Sequence, residues 1–230
     1  MPMFYDPMLM LVTAPAVLLA LWAQWRVRSS FESASKEPAP LSGAAAARHI
    51  LDSAGAPSID IEPSRGMLTD HYDPQHKVLR LSEKVYGARS LAAVGIAAHE
   101  AGHALQDAQR YPLMSIRNAA VGIANIGSQI GLLAFVFGLS MGNSAIAWVG
   151  IGLFAATVFF QVVNLPVEID ASNRAKAALV NLGIVPPEDM PAVNNVLNAA
   201  AWTYVAATLQ SVLVLLYYAS HLTGRSSDEA

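Results

Sequence analysis

Cysteine is absent from this 230-residue chain, which excludes disulfides, thiolate metal ligands and thiol nucleophiles together. Charge is scarce: Asp, Glu, Lys and Arg make up 13% of residues, against about 25% in an ordinary soluble domain. The net charge of −3 leaves no basic excess, so a nucleic-acid partner is not expected. No Lys or Arg precedes the first apolar run, and Arg26 and Arg28 follow it. That order argues against a cleaved secretory signal and for an uncleaved anchor. Without thiols, any metal must be held by histidine and carboxylate. The histidines are His49, His71, His76, His99, His103 and His221.

Apolar sequence is plentiful: 54% of residues are hydrophobic. Residues 8–25, 118–140, 145–165 and 199–220 are four uncharged runs, each near the length that spans a hydrocarbon core of about 30 Å. Trp22, Trp25, Tyr217 and Tyr218 near span ends suit the membrane interface. Met141-Gly142-Asn143-Ser144 joins the second and third runs into a hairpin. Of the 14 Lys and Arg residues, 13 fall between 26 and 117 or between 174 and 176. The positive-inside rule therefore predicts cytoplasmic regions at about 26–117 and 166–198, with both termini outside. The expected architecture is a mainly α membrane protein. Four transmembrane helices and a small cytoplasmic α+β region form a single domain over residues 1–230. Asn125, Gln129, Gln161 and Asn164 are expected to face the bundle interior, where amides find partners. The GxxxG pair Gly127 and Gly131 reads as packing within the chain.

The polar regions divide at their turn residues. Residues 26–40, rich in Ser, Glu, Lys and Pro, read as a linker. A helix is expected over 41–54, with Ser42 as N-cap and Gly55 as its stop. Residues 59–62, 67–72 and 77–82 are strand candidates, the last two joined by a turn at Asp73-Pro74-Gln75. A long helix is expected over 90–109. A further helical run from Leu165 to about Leu182 is ended by Gly183 and Pro186-Pro187. Helix resumes from Pro191 into the fourth span.

Within the 90–109 helix lies His99-Glu100-Ala101-Gly102-His103, an H-E-x-x-H motif. Four residues apart on a helix, the two imidazoles project from one face and can grip one Zn²⁺. Glu100 points elsewhere, where it can act as a base without ligating. Gly102 in a helix costs about 1 kcal/mol relative to Ala, so close packing by another segment is expected there. Catalytic zinc usually takes three protein ligands, so one more is needed. Glu168, just past an apolar run, is the first candidate. Asp170 is next, then His71 or His76. An oxyanion helper is not identifiable; His71, Tyr72 and Arg80 are candidates, each of which reads more readily as structural than as catalytic.

Several segments carry a resemblance. They are Phe4-Tyr5-Asp6-Pro7, Leu68-Thr69-Asp70-His71-Tyr72-Asp73-Pro74, Val78-Leu79-Arg80-Leu81-Ser82, Ala92 through Ala104 around the motif, Leu165-Pro166-Val167-Glu168-Ile169-Asp170-Ala171-Ser172, and Asn198-Ala199-Ala200-Ala201-Trp202-Thr203-Tyr204-Val205-Ala206. Over essentially its whole length the chain resembles the small membrane zinc metallopeptidases of the YugP type, the neutral zinc metallopeptidase family 2. The resemblance implies a zincin-like region in which His99, His103 and Glu168 bind Zn²⁺ and Glu100 is the general base. The layout also resembles the gluzincin membrane peptidases, where a downstream Glu is followed four residues later by Asp. Ser172 stands there instead, which leaves open whether Asp170 takes that supporting role.

The expected function is zinc-dependent hydrolysis of peptide bonds by a metal-activated water, with a cytoplasm-facing site in the cell membrane. The partners expected are a peptide or membrane-protein substrate, the lipid bilayer and a membrane-protein regulator. Two other readings stay open. One is an intramembrane protease, favoured by the apolar run before His99 and disfavoured by Gln106, Asp107, Gln109 and Arg110 after it. The other is a non-hydrolytic scaffold or regulatory partner with a relic metal site, disfavoured by the intact Glu100.

Overall fold

The computed structural model describes residues 6–66 and 69–228, with the backbone alone for 224–228. Phe4, Tyr5, Met67 and Leu68 of the segments quoted above lie outside the described residues. Helix α1 (Pro7–Ala34) opens at Asp6, whose carboxylate accepts from the N–H groups of Met8 and Leu9. It runs well past Trp25, so residues 26–34 are helix and not linker. Composition hid this: Ser30 and Ala34 are buried at i,i+4 spacing, and Phe31 packs on the apolar core.

Among the described residues, four helical stretches are long and apolar enough to cross a membrane: Pro7–Ala34, Pro112–Ser140, Ser144–Asn181 and Met190–Thr223. The chain is thus a multi-pass membrane protein, mainly α with a small sheet. By internal packing it forms two compact units, one of residues 1–22, 116–165 and 203–230, the other of 23–115 and 166–202.

The second unit holds the sheet. Helix α2 (Gly43–Ser53) is capped by Ser42, whose hydroxyl accepts from the Ala45 N–H, and is followed by Gly55 at φ +74°. Strands β1 (Asp60–Ser64), β2 (His71–Asp73) and β3 (Val78–Ser82) form a sheet of order β1-β3-β2. β1 runs parallel to β3 and β2 antiparallel to it. β2 is shorter than the expected 67–72 segment, and β1 starts one residue later and ends two residues later than the expected 59–62. β3 is buried on both faces, which explains its broken alternation. The short α3 (Glu83–Tyr86) leads to α4 (Leu91–Ala108), whose N-cap Ser90 accepts from the Ala93 N–H. α4 packs on α2 and is apolar nearly all round, with Leu91, Ala92, Ala93, Val94, Ala97, Ala98, Ala101 and Ala104 buried. A small-residue helix of this kind lets neighbouring backbones approach closely.

In the first unit, α5 (Pro112–Ile126) and α6 (Leu132–Ser140) flank a π-helical turn at Gly127–Gly131. The GxxxG pair does serve packing within the chain. A Cβ on Gly127 would meet the Leu153 carbonyl oxygen at 2.1 Å, and one on Gly131 the Phe154 nitrogen at 2.8 Å. Asn164 is buried and accepts from Arg117 Nε at 3.0 Å, as an interior amide should. Gln161 is half-buried. Asn125 and Gln129, however, are exposed. The buried face here is taken by Ala124 at the end of α5 and by Gly127 and Gly131 of the π-helical turn, which leaves both amides off that face.

Helix α7 (Ser144–Asn181) continues unbroken through Pro166 and carries Glu168, Asp170 and Ser172. Gly183, at φ +62°, follows it, and α8 (Met190–Asp228) completes the chain.

Candidate metal centre

α4 presents His99 and His103 one turn apart, and α7 presents Glu168 to them. Two short-range effects bring these segments together. Gly102 sits between the histidines and has no side chain; a Cβ there would lie 2.5 Å from the Ala171 carbonyl oxygen. That absence lets the two helices approach to backbone contact, as the sequence suggested. Val167, Ala171 and Ala175 are fully buried beside it.

The carboxylate Oε2 of Glu168 lies 3.2 Å from His99 Nε2 and 3.3 Å from His103 Nε2. The three ligand atoms all lie within 4.8 Å of one another, and the imidazole planes stand 81° apart. Four bonds of about 2.05 Å in a tetrahedron have edges of about 3.3 Å, so the N···O separations match two edges around a zinc ion. The donor set of two imidazole nitrogens and one carboxylate oxygen is also one that Zn²⁺ accepts. Glu168 is 3% exposed. A carboxylate buried so deeply requires a cationic or metallic partner. Burial opposes charging of His103, but the hydrogen bond and charge of Glu168 outweigh it and lift the imidazole above its ordinary pKa.

Each imidazole is held from behind. His99 Nδ1 bonds to Ser172 Oγ at 3.1 Å. His103 Nδ1 bonds to Gln106 Oε1 at 3.0 Å. With Nδ1 engaged, Nε2 of each ring is directed at the other ligands. Glu100 stands outside the ligand group and accepts from the Tyr72 backbone N–H at 3.1 Å. β2 therefore runs beside the acid that the motif marks as a base.

The remaining candidates lie elsewhere. Asp170 pairs with Arg174 Nε at 2.5 Å and accepts from Gln106 Nε2 at 2.8 Å. His71 Nδ1 bonds to the Thr69 carbonyl, and His76 to Asp73. The Tyr72 hydroxyl donates to Asp107 at 2.6 Å; burial first, then Asp107, pushes this phenol's pKa up. Arg80 bridges Asp73 and Glu62. Its hydrogen bond, aided by His76, holds the Asp73 carboxyl well below the usual carboxylate range.

Gln106 is the residue that the sequence concealed. Following the motif it reads as a solvated polar side chain, yet it is 0% exposed and bonds to His103. The one signal was its spacing, three residues after His103 and so on the same face.

The family model described as "Putative neutral zinc metallopeptidase" matches residues 9–223. The curated Bacillus subtilis (strain 168) protein "Putative membrane protease YugP" is 44% identical over 220 residues, covering 94% of this chain and 98% of that protein. No solved structure matches the chain.

Proposed function

This chain belongs to the neutral zinc metallopeptidase family, and from that premise we propose that it is a zinc-dependent integral-membrane endopeptidase with its site on the cytoplasmic side. The observation that carries this reading is the convergence of His99, His103 and Glu168 with Glu100 alongside. His99, His103 and Glu168 would hold the zinc. When bound, zinc supplies Lewis acidity to the scissile carbonyl and to the attacking water.

Glu100 performs the proton transfers. It accepts a proton from the water as the C–O bond forms and delivers it to the departing amine nitrogen as the C–N bond breaks. The Tyr72 N–H holds one oxygen of Glu100 and leaves the other for this exchange. β2 is the last strand of the sheet. A peptide that adds to it as an extended strand passes the base.

Sidedness follows from charge. The basic residues cluster in the two regions that contribute the site, and such regions face the cytoplasm. An intramembrane site is the weaker reading. α4 is not among the helices long and apolar enough to span a membrane. Residues 145–165 alone, at about 1.5 Å each, cover the hydrocarbon core of about 30 Å, so Glu168 falls beyond them.

Purified protein should contain about one zinc per chain, the single ion of such a site. Glu100→Gln should keep that zinc and lose proteolysis by about 10²–10⁴-fold. Wild-type rates in this variant would refute the assigned base. No zinc in folded wild-type protein would refute the metal site. Peptides retained by Glu100→Gln would identify the substrate.

A further inference from the structure

Gln106 is a neutral residue with every polar atom of its side chain committed. It is fully buried at the back of α4, where an amide without partners is disfavoured. Its Nε2 lies 2.8 Å from the Val167 carbonyl oxygen and 2.8 Å from Asp170 Oδ2. Both of those atoms only accept, so the NH₂ group must face them and Oε1 must face His103. The amide orientation is thereby fixed by chemistry. His103 Nδ1, 3.0 Å from Oε1, must then be the donor, and the neutral ring carries its proton on Nδ1. Nε2, 3.3 Å from Glu168 Oε2, is then the nitrogen whose lone pair a metal would take.

The same side chain also joins two helices. Val167 precedes Glu168, so the bond to its carbonyl ties α4 to the backbone beside the third ligand. Asp170 is in turn held by Arg174, whose guanidinium also donates to Gln109, the residue that follows α4. A carboxylate thus supports His103, but one hydrogen bond removed, through Gln106.

We propose that Gln106 is a positioning residue. It fixes the protonation site and orientation of His103 for metal binding and holds α4 in register with the segment that bears Glu168. This rests on the metal-site reading above.

The test uses the full-length protein purified in detergent, with zinc affinity measured by chelator competition. Wild type must first bind zinc; if it does not, the metal-site reading fails and not this one. Gln106→Met keeps the volume and removes both sets of hydrogen bonds. It should weaken zinc binding by about 10–100-fold, the usual cost of losing a partner behind a ligating histidine. The melting temperature of the zinc-stripped protein should change little. A second readout is the ring-nitrogen spectrum of zinc-loaded protein labelled with ¹⁵N-histidine: the His103 Nδ1 proton, held by Gln106 Oε1 in wild type, should be lost to exchange with solvent in Gln106→Met. Unchanged zinc affinity in Gln106→Met overturns the proposal. So does a loss of affinity with that Nδ1 proton unchanged, since that leaves Gln106 a packing residue. If Gln106→Met does not fold, the wild-type spectrum decides: no protected Nδ1 proton on His103 overturns the proposal.

Discussion

Glu168 concentrates the energetics of the site in one side chain. A carboxylate at 3% exposure between two histidines has exchanged water for those two partners. In the proposed metal site Glu168→Ala removes a direct ligand, so zinc affinity should fall by more than the about 10–100-fold attached to an outer hydrogen bond. Chelator competition on folded protein would measure it, and unchanged affinity would place the third ligand elsewhere. The three motif residues were legible in sequence because helical periodicity is local: four residues fix which face each side chain takes. Glu168 lies 65 residues beyond His103. No local rule brings it back, and only its position past an apolar run and a whole-chain resemblance singled it out from Asp170. Ser172 and Gln106 were less legible still. A hydroxyl or an amide behind a histidine has no spacing signature distinct from an ordinary polar helix position.

At the scale of elements, the site depends on how closely α4 and α7 approach. Gly102 sets that distance, because a Cβ there would press on the Ala171 carbonyl at 2.5 Å and backbone cannot rotate away as a side chain can. Gly102→Ala should gain helix propensity of about 1 kcal/mol in isolation. The forced separation should cost about 1–3 kcal/mol, the usual range for overpacking. The second term wins, so the melting temperature should fall. Zinc affinity should fall with it, because the two helices carry different ligands. A more stable variant with full zinc affinity would show that the contact is slack. Element identities followed from caps and turn residues: Ser42, Ser90, Gly55 and Asp73-Pro74 all mark boundaries in the structure. The reading of residues 26–34 failed for a physical reason. Polar composition suggested a linker, whereas burial of a single stripe through Ser30 and Ala34 suffices to continue α1.

For the whole molecule, membrane topology and chemistry are one problem. The proposed ligands come from regions flanking different spans, and they share a side only if residues 118–140 and 145–165 both cross or neither does. A hairpin that crosses twice returns the chain to the side it left, whereas a single crossing would separate His103 from Glu168 by the bilayer. The proposed cytoplasmic sidedness rests on the positive charge in 26–117 and 174–176. The absence of native cysteine makes the arrangement directly testable. Single cysteines at Lys36 and Ser144, both exposed, report the two faces without background. In intact cells, a membrane-impermeant maleimide should label Ser144→Cys and leave Lys36→Cys unlabelled until the membrane is opened. The reverse pattern would put the site outside the cytoplasm and leave the metal chemistry untouched. Equal labelling of both in intact cells would contradict a hairpin that crosses twice.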